Sequence, residues 1–206
     1  MKTQLTRTQI NAGLWLAVFA ITVACHTARA QTPILCGQTI TNSISAASQI
    51  DQYTYGGSAG ETLALAMTGF LNINNVKAVD FYNPSGQIIA RLNGYSVLSS
   101  NVTLAVSGTY TFLVHDDNYT DTGNYALSIN SFTGGGCGSN PITCGQTVTN
   151  AISQSSEIDA YSYVASAGET LALAMAGFLN INNVKVVDIY NPSGQIIARL
   201  NGYSVL

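Results

Sequence analysis

Positive charge is what this sequence has least of. Its 206 residues include seven lysines and arginines against ten aspartates and glutamates. Lys2, Arg7 and Arg29 fall in the first thirty residues, so 31–206 holds Lys77, Arg91, Lys185 and Arg199 against all ten acids, a net charge of −6. No basic patch is available to neutralise phosphates, which excludes nucleic-acid binding and disfavours anionic membrane surfaces. Histidine is scarcer still. His26 and His115 are the two, which leaves one imidazole for general-base chemistry after residue 30. The single tryptophan, Trp15, also lies in the first thirty, which weakens a carbohydrate-platform reading. No apolar run after residue 30 approaches the length of a membrane span. Nor does any segment carry a sustained i, i+3, i+4 stripe with caps, so amphipathic helices are not expected.

What is present begins with an export signal over 1–30. Lys2 and Arg7 supply a positive start, Gly13–Ala24 an apolar run too short to cross a bilayer, and Ala28-Arg29-Ala30 small residues at the two positions a signal peptidase reads. Cleavage before Gln31 is expected. Lipidation at Cys25 is the rival, but Thr22 stands where lipid-anchor signals usually carry leucine. Either route exports the chain. Cys36, Cys137 and Cys144 then remain, and in an oxidising compartment they read as disulfide partners. The simplest pairing is Cys36–Cys137, whose loop of about 100 residues would contribute about 4–5 kcal/mol through unfolded-chain entropy. Pairing Cys137 with Cys144 is the alternative. A metal site is a poor third, because Cys-x₆-Cys with no neighbouring histidine is not a ligand pattern.

The chain is dominated by a repeat. Residues 36–98 recur as 144–206, offset by 108 positions, with 51 of 63 residues identical. Cys144 is therefore the counterpart of Cys36. Nine of the twelve differences fall within 40–57, and Ile40/Val148, Ala78/Val186 and Phe81/Ile189 keep apolar character, as core positions do. Recent duplication accounts for the near-identity; a shared contact face over 82–98, read by Arg91, Asn93 and Tyr95, is the functional alternative.

Within the first copy, apolar and polar residues alternate over 38–45, 51–55, 63–68, 77–82, 87–92, 102–106, 108–115 and 123–130. Period-two runs of this length bounded by turn residues predict antiparallel strands half-buried against a core. Asn83-Pro84-Ser85-Gly86 carries type I turn chemistry and should close a hairpin. A second hairpin should pass through 116–122. Eight strands in about 100 residues predict a two-sheet sandwich. The expected organisation is an all-β, jelly-roll-like antiparallel β-sandwich at 36–133, a glycine-rich linker at 134–143, and a truncated second copy at 144–206. That copy has counterparts of the first five strands only. A sandwich lacking its last strands exposes apolar faces and unpaired edges, so 144–206 is expected to be unstable alone and the chain to be a piece of a longer protein.

Five stretches in order, Asp51–Tyr55, Ser58–Thr62, Val79–Gly86, Gly108–Phe112 and Gly123–Leu127, resemble the bacterial pre-peptidase C-terminal domain. The resemblance covers roughly 36–132 and the truncated 144–206. It implies a non-catalytic jelly-roll-like sandwich carried by secreted enzymes and surface proteins, similar to the collagen-binding modules of clostridial collagenases. The layout departs from the family's, because the modules follow the export signal with no peptidase before them.

Four constellations invite a functional reading. Gly56–Gly60 matches Gly-x-Ser-x-Gly, but both flanks read as strands, where a nucleophile elbow needs a strand-to-helix turn and a histidine. Asp51 and Glu61 would need to face each other across a cleft to act as acid and base, and both sit at strand edges. Asp116, Asp117, Asn118 and Asp121 form the densest acidic loop, a calcium candidate by its hard oxygens and an ordinary polar turn by its residue types. The collagenase relatives bind calcium partly through acids in the segment entering the domain; Gln31–Cys36 has none. Of eleven tyrosines, Tyr82, Tyr95 and Tyr119 lie near turns and, with Arg91 and Asn93, are the binding candidates. The sequence is thus read as an exported, non-catalytic adhesion, binding or spacer module acting on an extracellular protein or polysaccharide. An accessory module of a secreted hydrolase and a calcium-dependent matrix binder are the alternatives.

Overall fold

The computed structural model describes residues 31–69, 77–94, 98–133, 137, 140–177 and 185–202. The expected export signal over 1–30, with Cys25, and Tyr95 and most of the expected linker at 134–143 lie outside them. Nine strands make up the first copy: β1 (Thr32–Pro33), β2 (Thr39–Ile44), β3 (Asp51–Gly57), β4 (Thr62–Gly69), β5 (Lys77–Tyr82), β6 (Ile88–Gly94), β7 (Leu98–Thr103), β8 (Gly108–Asp116) and β9 (Gly123–Ser131). They form a four-stranded sheet in the order β2-β9-β4-β7 and a five-stranded sheet in the order β1-β3-β8-β5-β6. With the two-residue β1 set aside, this is the strand order of a jelly roll. All pairings are antiparallel except β1 with β3.

Alternation dictates which face of each strand turns inward. Leu63, Leu65 and Met67 from β4 and Tyr125, Leu127 and Ile129 from β9 meet Tyr53, Val79, Phe81, Tyr110, Phe112 and Val114 from the other sheet. Phe81 stacks on Phe112 with centroids 4.2 Å apart. The Asn83–Gly86 turn closes the β5–β6 hairpin as expected: Gly86 N donates to Asn83 O at 2.9 Å, and Asn83 Oδ1 accepts from Ser85 N and Gln87 N. Gly86 adopts φ +78°, which suits a residue without Cβ.

The Cys36–Cys137 pairing is present, with Cα atoms 4.8 Å apart, and Cys144 is free and exposed. The strand expected at 102–106 lies instead at Leu98–Thr103. Leu104 remains fully buried, but it bonds across a loop to Gly60 and Glu61. Val106 turns outward, and its carbonyl accepts the Tyr110 hydroxyl at 2.6 Å.

The second copy departs from the expected five strands. Its ladders are β10 (Asn140–Pro141) with β11 (Tyr161–Ser162), and β12 (Lys185–Tyr190) with β13 (Ile196–Gly202). These are the counterparts of β1–β3 and β5–β6, and the reason lies in the sheet order. Every other ladder of the first copy runs through β7, β8 or β9, and residues 144–206 contain no equivalent of those strands. Backbone groups of a strand need a neighbour; without one, 163–177 forms no ladder despite near-identity with β4 and its approach. The cost shows in exposure. Leu63 and Leu65 are 0% and 1% exposed, whereas Leu171 and Leu173 are 48% and 43% exposed.

The second copy lies against the outer face of the four-stranded sheet. Asn130 Nδ2 donates to Ile158 O at 3.1 Å, Ser156 Oγ to Ala126 O at 3.1 Å, and Asn101 Nδ2 to the Tyr190 hydroxyl at 2.9 Å. Tyr190 also stacks on Phe132. This cover explains why Ala64, Ala66, Ser128 and Asn130, which point away from the core, are nonetheless buried.

Phe112→Ala should destabilise the chain by about 3–5 kcal/mol, because a stacked, fully buried ring leaves a cavity. Leu171→Ala should change stability by less than about 0.5 kcal/mol. Urea unfolding followed by tyrosine fluorescence compares the two.

Candidate functional site

With one sheet face covered, the outer face of the five-stranded sheet is the remaining broad surface, and its chemistry follows from register. Arg91 stands opposite Asp80 across the β5–β6 hairpin, with Nη1 3.1 Å from Oδ1 and 3.2 Å from Oδ2. The guanidinium also binds Asp117 in the β8–β9 turn. The hydrogen bond to Asp117, helped by the carboxylate charges of Asp80 and Asp117, outweighs the opposing effect of burial and holds the guanidinium pKa above its usual value.

Next to this pair, β8 places His115 opposite Ala78. The His115 ring is 1% exposed, with Nε2 3.3 Å from Asp80 Oδ2 and Nδ1 2.8 Å from Asp116 O. Tyr119 lies flat over that ring, centroids 4.6 Å apart and planes 3° from parallel. Its backbone adopts φ +60° and is pinned by bonds from Tyr119 N to Asp116 O and from Ser48 N to Tyr119 O, both 3.0 Å. An aromatic ring held on both its ring and its backbone, yet 41% exposed, offers contact area with little entropy left to lose. Asn93 is exposed on the same face, two residues along β6 from Arg91. Tyr82 sits half-buried at the far end of β5, beside a shallow depression of about 310 Å³ shared with Gln52, Pro84 and Thr111.

The structure therefore brings Arg91, Asp117 and Tyr119 together, keeps Asn93 near them and sets Tyr82 apart. Tyr95 lies outside the described residues. Sequence reading weighed His115 only as a general base and passed over Asp80; together they lie beneath Arg91 and Tyr119. The Asp80–Arg91 pairing was open to inference from the hairpin turn, which fixes their register. The His115–Tyr119 stack had no comparable signal.

The acidic loop does not assemble a cation cage. Asp116 is 1% exposed, and its Oδ2 accepts from Thr120 N and Asp121 N at 3.0 and 3.2 Å. Its Oδ1 is buried without a hydrogen-bond partner among the described residues. Asp117 is spent on Arg91, and Asp121 Oδ2 accepts from its neighbour Thr120. Among the described residues no three acid, histidine or cysteine side chains converge to hold a metal. Calcium wants several oxygens pointed at one centre, and this loop points them at amides and a guanidinium.

The remaining constellations are structural. Asp51 accepts the Tyr125 hydroxyl at 2.7 Å and Gln49 Nε2 at 2.9 Å, while Tyr53 and Tyr125 share a 2.6 Å bond. Burial, then the bonds to Tyr53 and Asp51, push the Tyr125 pKa well up. Glu61 accepts the Tyr55 hydroxyl and Ser58 N; burial, reinforced by that carboxylate, raises the Tyr55 pKa. Ser58 follows the Gly57 end of β3, whereas His115 lies at the opposite end of the β3–β8 ladder, about 20 Å away at strand rise. Lys77 is 1% exposed, donates to Gly94 O at 3.3 Å, and burial lowers its ammonium pKa.

Arg91→Ala should destabilise the chain by about 1–2 kcal/mol, since it leaves the buried Asp80 carboxylate without its cation while Arg91 itself is partly solvated. The corresponding change at the exposed Arg199 should leave the urea midpoint unmoved. Addition of EDTA should shift the melting midpoint by less than about 1 °C, because no ligand is lost; calorimetry reads this directly.

No protein-family model matches the chain, and comparison with curated proteins returns no match. Among solved structures, the chain is similar to a pre-peptidase C-terminal domain of collagenase from Bacillus anthracis, at 19% identity and TM-score 0.42, over 48% of this chain and 93% of that one. It is also similar to Aeromonas hydrophila PliG, a periplasmic lysozyme inhibitor of g-type lysozyme, at 17% identity and TM-score 0.42, over 50% and 96% of the two chains. The Yersinia pseudotuberculosis-derived mitogen matches at 17% identity and TM-score 0.35, over 45% and 82%.

Proposed function

We propose that this chain is an exported, non-catalytic binding module that engages an extracellular protein or polysaccharide through the outer face of its five-stranded sheet. The observation that carries the reading is the unequal treatment of the two sheet faces. One is covered by the second copy; the other presents Arg91, Asn93 and Tyr119, with Tyr119 held in place by its stack and its backbone bonds. Fixed aromatic and guanidinium groups on a solvent face are the kind that dominate recognition energetics. The disulfide supports an oxidising compartment. The order of motifs resembling the pre-peptidase C-terminal domain supports a role beside other modules rather than alone. Catalysis finds no support, since Ser58 lacks a base and Asp51 and Glu61 serve tyrosines.

The test is retention of the purified chain on type I collagen fibrils, chitin beads and peptidoglycan sacculi. Retention on at least one is expected, with Tyr119→Ala weakening it at least about tenfold at unchanged melting temperature. Failure to be retained on all three would leave a spacer and defeat the binding assignment.

A further inference from the structure

Two charged side chains are buried on neighbouring strands of the five-stranded sheet and form no ion pair with each other. Lys77 opens β5 and Asp116 ends β8, and the two are directly opposed in the β5–β8 ladder. Each is 1% exposed. The next inward pair along the same two strands is Val79 and Val114, both fully buried in the core. We propose that Lys77 and Asp116 are the two halves of an intramolecular cross-link, an amide between Nζ and Cγ that joins β5 to β8 covalently. The cross-link needs no ligand and stands apart from the binding face.

Placement brings the two groups within reach. Directly opposed residues of an antiparallel pair hold their Cβ atoms about 4.5–5.5 Å apart, a gap that the flexible lysine stem spans without backbone movement. Nζ is turned the other way, toward Gly94 O on β6 at 3.3 Å. That bond is longer than a well-formed N–H···O contact, so it restrains the amine weakly. Rotation about the side chain's own bonds carries Nζ across to Asp116.

Burial supplies the driving force. Among the described residues neither group has a counter-ion, and an ammonium and a carboxylate removed from water without one are each costly. Amide formation removes both charges at once. Burial also lowers the Lys77 ammonium pKa, which favours the neutral amine that attacks.

The carboxyl is set up unevenly, as the reaction requires. Oδ2 accepts from Thr120 N and Asp121 N at 3.0 and 3.2 Å, two amides placed to stabilise negative charge on that oxygen. Oδ1 is buried without a hydrogen-bond partner among the described residues, and it is the oxygen free to leave. One ammonium proton passes to Oδ1, leaving a neutral amine and a neutral acid. Nζ then attacks Cγ, and charge develops on Oδ2 between the two amides. A second proton moves from Nζ to Oδ1, the Cγ–Oδ1 bond breaks, and one water departs. An ammonium and a carboxylate have become an amide and a water, so no oxidant, reductant or activating group is consumed. The apolar pair behind the site keeps water from reversing the step.

The result is a second covalent tie beside Cys36–Cys137. It fixes β8, which lies between β3 and β5 in the sheet, and it survives reduction.

The test is a tryptic map of the reduced, denatured full chain by tandem mass spectrometry. A branched peptide joining Lys77 to Asp116 is expected, lighter by one water than its linear parts, with no cleavage after Lys77. Asp116→Ala should restore that cleavage, and Lys77→Met should return the Asp116 peptide to linear form. Lys185→Met, at a lysine whose ladder partner is Gly202 on β13, should leave the branch in place. Complete cleavage after Lys77 in the unsubstituted chain, water lost only from a linear peptide, or a branch found only between two chains would each overturn the proposal. None of those three outcomes depends on a variant that folds.

Discussion

Two strands from the end of the module occupy the middle of its two sheets. β8 lies between β3 and β5, and β9 between β2 and β4. Each supplies hydrogen-bond partners on both its edges, and their inward side chains, Tyr110, Phe112 and Val114 with Tyr125, Leu127 and Ile129, form the middle of the core. Strands that are far apart in sequence therefore become neighbours only once β8 and β9 are in place. The Cys36–Cys137 link, spanning a separation of 101 residues, ties the start of the module to the exit of one of them.

The repeat displays this dependence without any need for mutation. Nearly the same 63 residues occur twice, and the local geometry of turns and short-range polar contacts is the same in both. Ladders are not. Hairpins close through their own turn, which is why β12–β13 forms; pairings that need a distant third strand do not. Loop-closure entropy has to be offset by long-range contacts, and among the described residues of 144–206 no ladder equivalent to those through β7, β8 or β9 forms.

The candidate binding face has the same two-part origin. Asp80 and Arg91 meet because one turn sets their register, and Asp188 and Arg199 do likewise at 2.5 Å in a hairpin with no sandwich around it. The additional partners Asp117, His115 and Tyr119 come from β8 and its turn. They convert an exposed pair into a cluster in which Asp80 is 5% exposed. Covering of the opposite sheet by the second copy leaves this side exposed to solvent.

Alternation of side chains located the strands of the first copy, because period-two burial is a local property of the pleat. Turn chemistry located the Asn83–Gly86 hairpin for the same reason. The alternation through Leu104 and Val106 misled, since a buried leucine in a loop leaves the same local mark as one in a strand. The preferred pairing of Cys137 with Cys36 was legible in the sequence and is present, whereas the burial of Lys77 and His115 and the engagement of the acidic loop by amides and Arg91 could not be read from spacing. Local patterning by itself thus determined which segments can be strands and which way each faces. Which of them are strands was decided by tertiary structure alone, because a strand is completed by its neighbour's hydrogen bonds, and β8 and β9 supply them to β2, β3, β4 and β5.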